Sequence, residues 1–171
     1  MKGLATLLGL ATGVALCIVA PAAPQMVRAA ENELTSAQSD YLQQCGGCHG
    51  IQGNTAPAPV PILKARVGYF ICTEAGRRYL IRLPNVSYAR VDDQSLADMM
   101  NFVVFGLGAP SAPANGRGFT AEEVHEMRSH PMLGSEVEVT RKLVVEELIH
   151  ACGAPADLRL TYPGESPDEH R

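Results

Sequence analysis

The sequence lacks an excess of positive charge, an internal repeat, and any alternation of strand and helix patterns. It has 14 Lys and Arg residues against 18 Asp and Glu residues, which gives a formal net charge of −4. Six of the basic residues fall between Lys64 and Arg90, and this patch is small in a chain that is acidic as a whole, so nucleic-acid binding is not expected. A doubly wound parallel sheet is not expected either, because no βαβ pattern is present.

A single long apolar run, from Leu4 to Ala20, follows Lys2 at the N terminus. Small residues and prolines come after it, and no basic cluster does, which is typical of a secretory signal peptide. We predict cleavage after Ala29, with Ala22 as the second choice, and this leaves 142 of the 171 residues for one domain. An uncleaved membrane anchor is the alternative, and membrane association is expected only in that case.

Cys45, Cys48 and His49 form a C-x-x-C-H motif, the pattern for covalent attachment of a c-type haem. Thiols at this spacing reach the two vinyl groups on one edge of a porphyrin, and the histidine becomes the proximal ligand of the iron. A bare C-x-x-C also occurs in thiol redox sites and zinc sites. A thiol redox site would place the motif between a strand and a helix, and a zinc site would need further ligands at a fitting spacing. The sequence shows neither. With no second C-x-x-C-H, the sequence predicts one covalent haem c.

Two further cysteines, Cys72 and Cys152, remain after removal of the signal peptide. An exported compartment favours disulfide formation, and a bridge over so long a loop would tie the C-terminal segment to the haem domain. Two separate buried thiols are the alternative. The sequence favours the disulfide.

Helical patterns dominate the rest of the chain. The predicted helices cover residues 35–44, 73–83, 92–105, 120–131 and 136–151. Thr35 with Gln38, and Thr120 with Glu123, have the spacing of capping boxes. Residues 50–61 are rich in Gly, Asn and Pro and are predicted to form a loop.

Residues 35–106 resemble a class I c-type cytochrome. The resemblance rests on the C-x-x-C-H motif, on a helix face shared by Ala37, Tyr41 and Cys45, on the proline-containing loop, and on an apolar closing helix. In that family the small residue lets the first and last core helices cross closely, and the aromatic residue packs at the crossing. The closing helix is predicted to stop at glycines 106 and 108.

The resemblance implies an all-α, class I cytochrome c-like domain around a covalent haem, with a helical C-terminal extension. It also implies that the backbone carbonyl of Pro61 accepts the N–H of the proximal His49, with Pro59 as the alternative. The predicted organisation is residues 1–29 as signal peptide, 30–108 as cytochrome domain, and 109–171 as linker, helical extension and polar tail from Arg159.

The sixth ligand of the iron is the main departure from the family pattern. The family usually places a methionine in the loop before the last core helix, but residues 83–91 contain neither methionine nor histidine. We therefore expect an open or water-bound distal site, with Met99 or Met100 as the next candidates. Further alternatives are Tyr88, His125, Met127, His130 and Met132.

The function that the resemblance implies is that of a one-electron carrier rather than an enzyme. We expect it in the periplasm, between a dehydrogenase and the respiratory chain, with a periplasmic redox protein as partner. Two alternatives remain open: an open-site haem protein that acts like a peroxidase or binds diatomic gases, and a cytochrome subunit of a quinoprotein dehydrogenase complex. Candidates for binding haem propionates or a docking partner are Arg77, Arg78, Arg82 and Arg90.

Overall fold

Helices form the framework of the computed structural model, which describes residues 34–54 and 60–162. No β-strand occurs in these two ranges, and the predicted all-α, cytochrome c-like fold is confirmed. None of their helices combines the length and apolar character needed to cross a bilayer. The predicted signal peptide, the last nine residues, and Pro59 lie outside the described residues.

Seven α-helical segments follow one another along the described chain. They are α1 (Ser36–Tyr41), α2 (Gly47–His49), α3 (Glu74–Arg82), α4 (Pro84–Ser87), α5 (Asp93–Asn101), α6 (Ala121–Arg128) and α7 (Val137–Cys152). Turns of π-helix continue α1 and α5, over Leu42–Gly46 and Phe102–Leu107. Short 3-10 helices lie at Val67–Cys72, Ala109–Ser111, Gly134–Glu136 and Ala156–Arg159.

The first helix begins and packs as the sequence predicts. Thr35 and Gln38 form a complete capping box at its N terminus. Tyr41 is buried at 1% exposure and meets the ring of Phe102 edge to face, with 5.7 Å between centroids. Because α1 packs against α5, this aromatic pair lies where the first and last core helices meet.

The closing helix runs further than predicted. Asp92 caps α5 by accepting a hydrogen bond from the Ser95 amide, at 2.7 Å. The chain then passes through Gly106 without stopping, because a π-turn forms in which the Gly108 amide donates to the Val103 carbonyl, at 2.9 Å. The prediction that Gly106 ends the helix is therefore wrong, and Gly108 lies at its end.

The predicted capping box of α6 is only half formed. The Thr120 hydroxyl accepts a hydrogen bond from the Glu123 amide, at 3.3 Å. The Glu123 carboxylate does not return to Thr120, because Arg77 and Arg117 bind it instead. Arg77, only 1% exposed, also donates to the carbonyls of Arg117 and Gly118. The extension is thus joined to α3 by a buried ion pair.

The extension packs on the core through α6 and α7 and is also linked to it covalently. Helix α7 contacts α3 and the 3-10 helix Val67–Cys72. A disulfide joins Cys72 to Cys152 at the end of α7, the pairing that the sequence favours. The Arg159 guanidinium, at the start of the predicted polar tail, binds the Glu146 carboxylate on α7, at 2.6 and 2.8 Å.

Candidate functional site

The two thiols of the C-x-x-C-H motif are free and lie at the end of the first helix. Cys45 belongs to the π-turn that continues α1, and Cys48 and His49 belong to α2. Cys45 is half-buried and Cys48 is exposed, and neither is part of a disulfide. Residues three apart on a helix project from the same face, so both thiols are available to one planar group.

The His49 ring is held by the backbone of Pro61. Its Nδ1 atom lies 3.0 Å from the Pro61 carbonyl oxygen. A carbonyl only accepts, so Nδ1 carries the proton and Nε2 keeps its lone pair for a metal. Burial lowers the pKa of His49, although the hydrogen bond to Pro61 acts in the opposite direction. The burial of the ring and its hydrogen bond to Pro61 are the surroundings expected of a neutral imidazole ligand.

The turn that carries Pro61 is anchored on both sides. The Gly53 carbonyl accepts hydrogen bonds from the amides of Leu63 and Lys64, at 2.9 and 3.0 Å. Gly53 has a φ of +69°, a conformation that glycine adopts without strain. Next along the chain, the Ala65 amide donates to the Leu107 carbonyl at the end of the closing helix, at 2.9 Å. The position of the Pro61 carbonyl is therefore fixed by the hydrogen bonds of the following residues to Gly53 and to Leu107.

The Tyr41 hydroxyl is a contact that sequence reasoning did not identify. It donates to the carbonyl of Gly50, directly after His49, at 2.6 Å. Burial, reinforced by the charge of the Cys45 thiolate, raises the pKa of Tyr41 to about 12. The i, i+4 spacing of Tyr41 and Cys45 predicts a shared face, but no sequence signal shows that the hydroxyl reaches past His49.

The loop before the closing helix, residues 83–91, is more ordered than its sequence suggests. Its first part forms the short helix α4, with Pro84 in the first turn, a position that proline favours. Its second part is held by Arg128 of α6. The guanidinium donates to the carbonyls of Ser87, Ala89 and Val91, at 3.0, 2.7 and 3.0 Å. It also binds Asp93, at 3.0 Å.

The same loop lies beside the haem motif. The Arg90 amide donates to the side-chain carbonyl of Gln44, the residue before Cys45, at 3.2 Å. Tyr88 is 71% exposed. The loop therefore connects the first helix to the extension next to the first attachment cysteine.

Apart from the exposed Tyr88, the candidate sixth ligands have other partners in the structure. Met99 and Met100 lie on the buried face of α5, at 0% and 3% exposure, as part of the hydrophobic core. Met132 is 6% exposed and Met127 is half-buried against the same core. The exposed His125 and His130 are bonded to Asp93 and to Ser129.

The predicted basic group is smaller than the sequence suggests. Arg77 is buried in its ion pair with Glu123, and Arg82 donates to the His130 carbonyl, so both serve to hold the extension. Arg78 and Arg90 are exposed, and no side-chain partner occurs for either within the described residues. These two arginines remain available to a propionate or a partner.

The residues present fit a covalently bound haem. The donor set is two unpaired thiols on one helix face and an imidazole whose Nε2 is free, as such a group requires. Within residues 34–54 and 60–162, no three His, Cys, Asp or Glu side chains come together in a way that would hold a metal ion by themselves.

Comparison with known proteins gives two related matches, both from the bacterium Thermus thermophilus. The chain is 28% identical over 130 residues to one protein named cytochrome c-552, covering 64% of this chain and 88% of the relative. It is 27% identical over 117 residues to a second cytochrome c-552, covering 58% of this chain and 89% of the relative. No protein-family model matches the chain. The similarity suggests a c-type cytochrome.

Proposed function

We propose that this protein is an exported class I c-type cytochrome that carries one covalent haem and transfers single electrons. The observation that supports this most is the His49–Pro61 hydrogen bond next to the free thiols of Cys45 and Cys48. The similarity to proteins named cytochrome c-552 points in the same direction. When bound, the haem supplies the redox couple.

Each residue of the site has a separate task in this proposal. Cys45 and Cys48 form the two thioethers, and His49 binds the iron through Nε2. The Pro61 carbonyl holds the proton on Nδ1, which fixes the ring orientation and strengthens the imidazole as a donor. The chain thus sets the orientation and electronic character of the group, and no acid–base pair is required of it.

Export and partner follow from the same proposal. The Cys72–Cys152 disulfide suits an oxidising compartment, so we place the mature protein in the periplasm. The partner is a periplasmic redox protein, either a dehydrogenase or an oxidase. The exposed Arg78 and Arg90 are the basic groups available for contact with an acidic partner surface.

A redox titration of the haem-loaded mature protein tests the carrier function. We expect one reversible one-electron step that is complete in both directions, with no loss of the chromophore. His49→Gly should shift the midpoint of this step, because the proximal ligand is lost. A protein with attached haem that shows no reversible one-electron step would contradict the proposal.

A further inference from the structure

The methionines of the described chain are all committed to packing. Met99 and Met100 belong to the core face of α5, where the neighbouring Leu96 and Ala97 are also fully buried. Met132 is buried in the extension, and its amide donates to the Arg82 carbonyl at 2.8 Å. To bind iron, any of these side chains would have to leave the core and open a cavity there, which destabilises the fold.

The histidines other than His49 within residues 34–54 and 60–162 also have polar contacts. His125 lies 2.8 Å from the Asp93 carboxylate, and that carboxylate is itself bound by Arg128. His130 lies 2.8 Å from the Ser129 hydroxyl, in the turn after α6. His150 faces Glu146 on the exposed side of α7, at 4.0 Å. Within the described residues, each histidine outside the motif therefore has a polar neighbour of its own.

The loop beside the haem motif, residues 83–91, is held from two sides, and this also restrains the helix that carries Met127 and His125. The Arg128 guanidinium binds three of its carbonyls, and Gln44 binds the Arg90 amide from the other side. The helix that carries Met127 and His125 is thus locked to the loop through its own last residue, Arg128.

The locked loop presents two polar side chains away from the core. Ser87 and Ala89 are buried at 4% and 7% exposure, whereas Tyr88 and Arg90 between and after them are exposed. The phenol and the guanidinium therefore face solvent rather than the core, and the Arg90 amide joins their loop to Gln44, the residue before Cys45. Neither side chain has a partner in the part of the chain that the structure describes.

From these contacts we infer that the chain leaves the sixth coordination position free, and that this position takes a small exogenous ligand of the diatomic class beside Tyr88 and Arg90. The inference rests on the proposed haem attachment at Cys45, Cys48 and His49. A phenol and a guanidinium donate hydrogen bonds to the outer atom of a polar ligand, and the positive charge of Arg90 favours an anionic one. Binding is by coordination alone, and no bond of the ligand breaks.

Carbon monoxide tests the free position directly. The haem-loaded mature protein is reduced, and its absorption spectrum is recorded with and without the gas. We expect a saturable shift of the main haem band and, in the oxidised protein, no absorption from a methionine–iron bond. Protein that carries its haem but does not respond to carbon monoxide overturns the inference. A sample without covalently retained haem overturns the proposed function as well, and the mass of the denatured chain distinguishes the two failures.

Substitution of Met99, Met100 and His170 tests whether one of these side chains occupies the sixth coordination position of the iron. We expect Met99→Leu, Met100→Leu and His170→Ala each to leave the oxidised and reduced spectra unchanged. His170 is included because it lies outside the described residues. A change of spin state or band position in any of these variants identifies a ligand supplied by the chain and overturns the inference.

Cyanide binding to the oxidised protein tests whether the exogenous ligand lies beside Arg90. Arg90→Gln removes a positive charge next to the expected position, and we expect the affinity to fall roughly two- to fivefold, as for an exposed charge interaction. Arg78→Gln is the matched control, because it removes an exposed, unpartnered arginine from α3 instead. Equal affinities for the two variants would show that the ligand does not bind beside Arg90.

Discussion

At the scale of single residues, the motif can be identified from sequence, and the family resemblance also points to Pro61, but the contact made by Tyr41 could not be predicted. The C-x-x-C-H spacing predicts which side chains meet a haem, and the structure adds what holds them. The Tyr41 hydroxyl and the Gly50 carbonyl are nine residues apart, and their contact depends on how the chain leaves α2 after His49. A turn of this kind leaves no periodic signal in the sequence.

Tyr41→Phe is expected to lower the free energy of unfolding by about 1 kcal/mol, because it removes the hydroxyl that donates to the Gly50 carbonyl and leaves that carbonyl only the Gly53 amide, at 3.2 Å, while the ring contact with Phe102 stays. Chemical denaturation measures the change. Tyr69→Phe is the control, since the half-buried Tyr69 hydroxyl has no partner within the described residues, and its removal should have little effect. Equal losses in both variants would argue against a specific role for the Tyr41 hydroxyl.

At the scale of elements, helix positions follow the apolar pattern, whereas the contacts between helices follow charge pairs that the pattern does not reveal. Helices α1, α3 and α5 start at Ser36, Glu74 and Asp93, each within one residue of the predicted starts at 35, 73 and 92. Glu123 shows the limit of such reasoning. Its spacing from Thr120 predicts a local capping bond, but two arginines compete for the same carboxylate and bind it.

The Arg77–Glu123 pair gives a pH-dependent prediction. Burial acts to raise the pKa of Glu123, but hydrogen bonds from Arg77 and Arg117 outweigh it and hold the pKa below its ordinary value of 4.5. A carboxylate with a lowered pKa stabilises the fold above the unfolded-state pKa, and this contribution is lost as the pH falls through the folded-state pKa. The extension should therefore loosen in acid.

Glu123→Gln should cost about 3 kcal/mol of unfolding free energy at pH 7, because Arg77 would remain buried without a counter-ion. The difference from the unsubstituted protein should shrink below pH 4.5. Denaturation at pH 7 and at pH 3 measures both values. Glu126→Gln is the matched control, an exposed position on the same helix. A loss at pH 7 that matches this control would show that the pair does not hold α6.

At the scale of the whole molecule, the extension is integrated with the core. Sequence patterning predicts its helices and favours the Cys72–Cys152 bridge, and the structure contains that bridge. Where the extension packs could not be predicted. It depends on Arg77 and Arg128, whose partners are far away in the sequence and include backbone carbonyls of loops without regular periodicity.

The disulfide should be a large contributor to stability, because it closes a loop over a separation of 80 residues. Replacing both Cys72 and Cys152 by Ala is expected to lower the unfolding free energy by about 4 kcal/mol on the chain-entropy estimate. Denaturation of the haem-loaded protein measures it. Reductant should destabilise the original protein and leave the double variant unchanged, and a double variant as stable as the original would contradict this role.

The covalent haem is the central claim, and the mass of the intact mature protein after denaturation tests it most directly. We predict a mass that exceeds the polypeptide by one haem, with the pigment retained on the unfolded chain, and attachment weakened or lost when Cys45 and Cys48 are both replaced by Ala. A mature protein, exported by a host that attaches haem to other cytochromes, would contradict the account if its mass were that of the polypeptide alone.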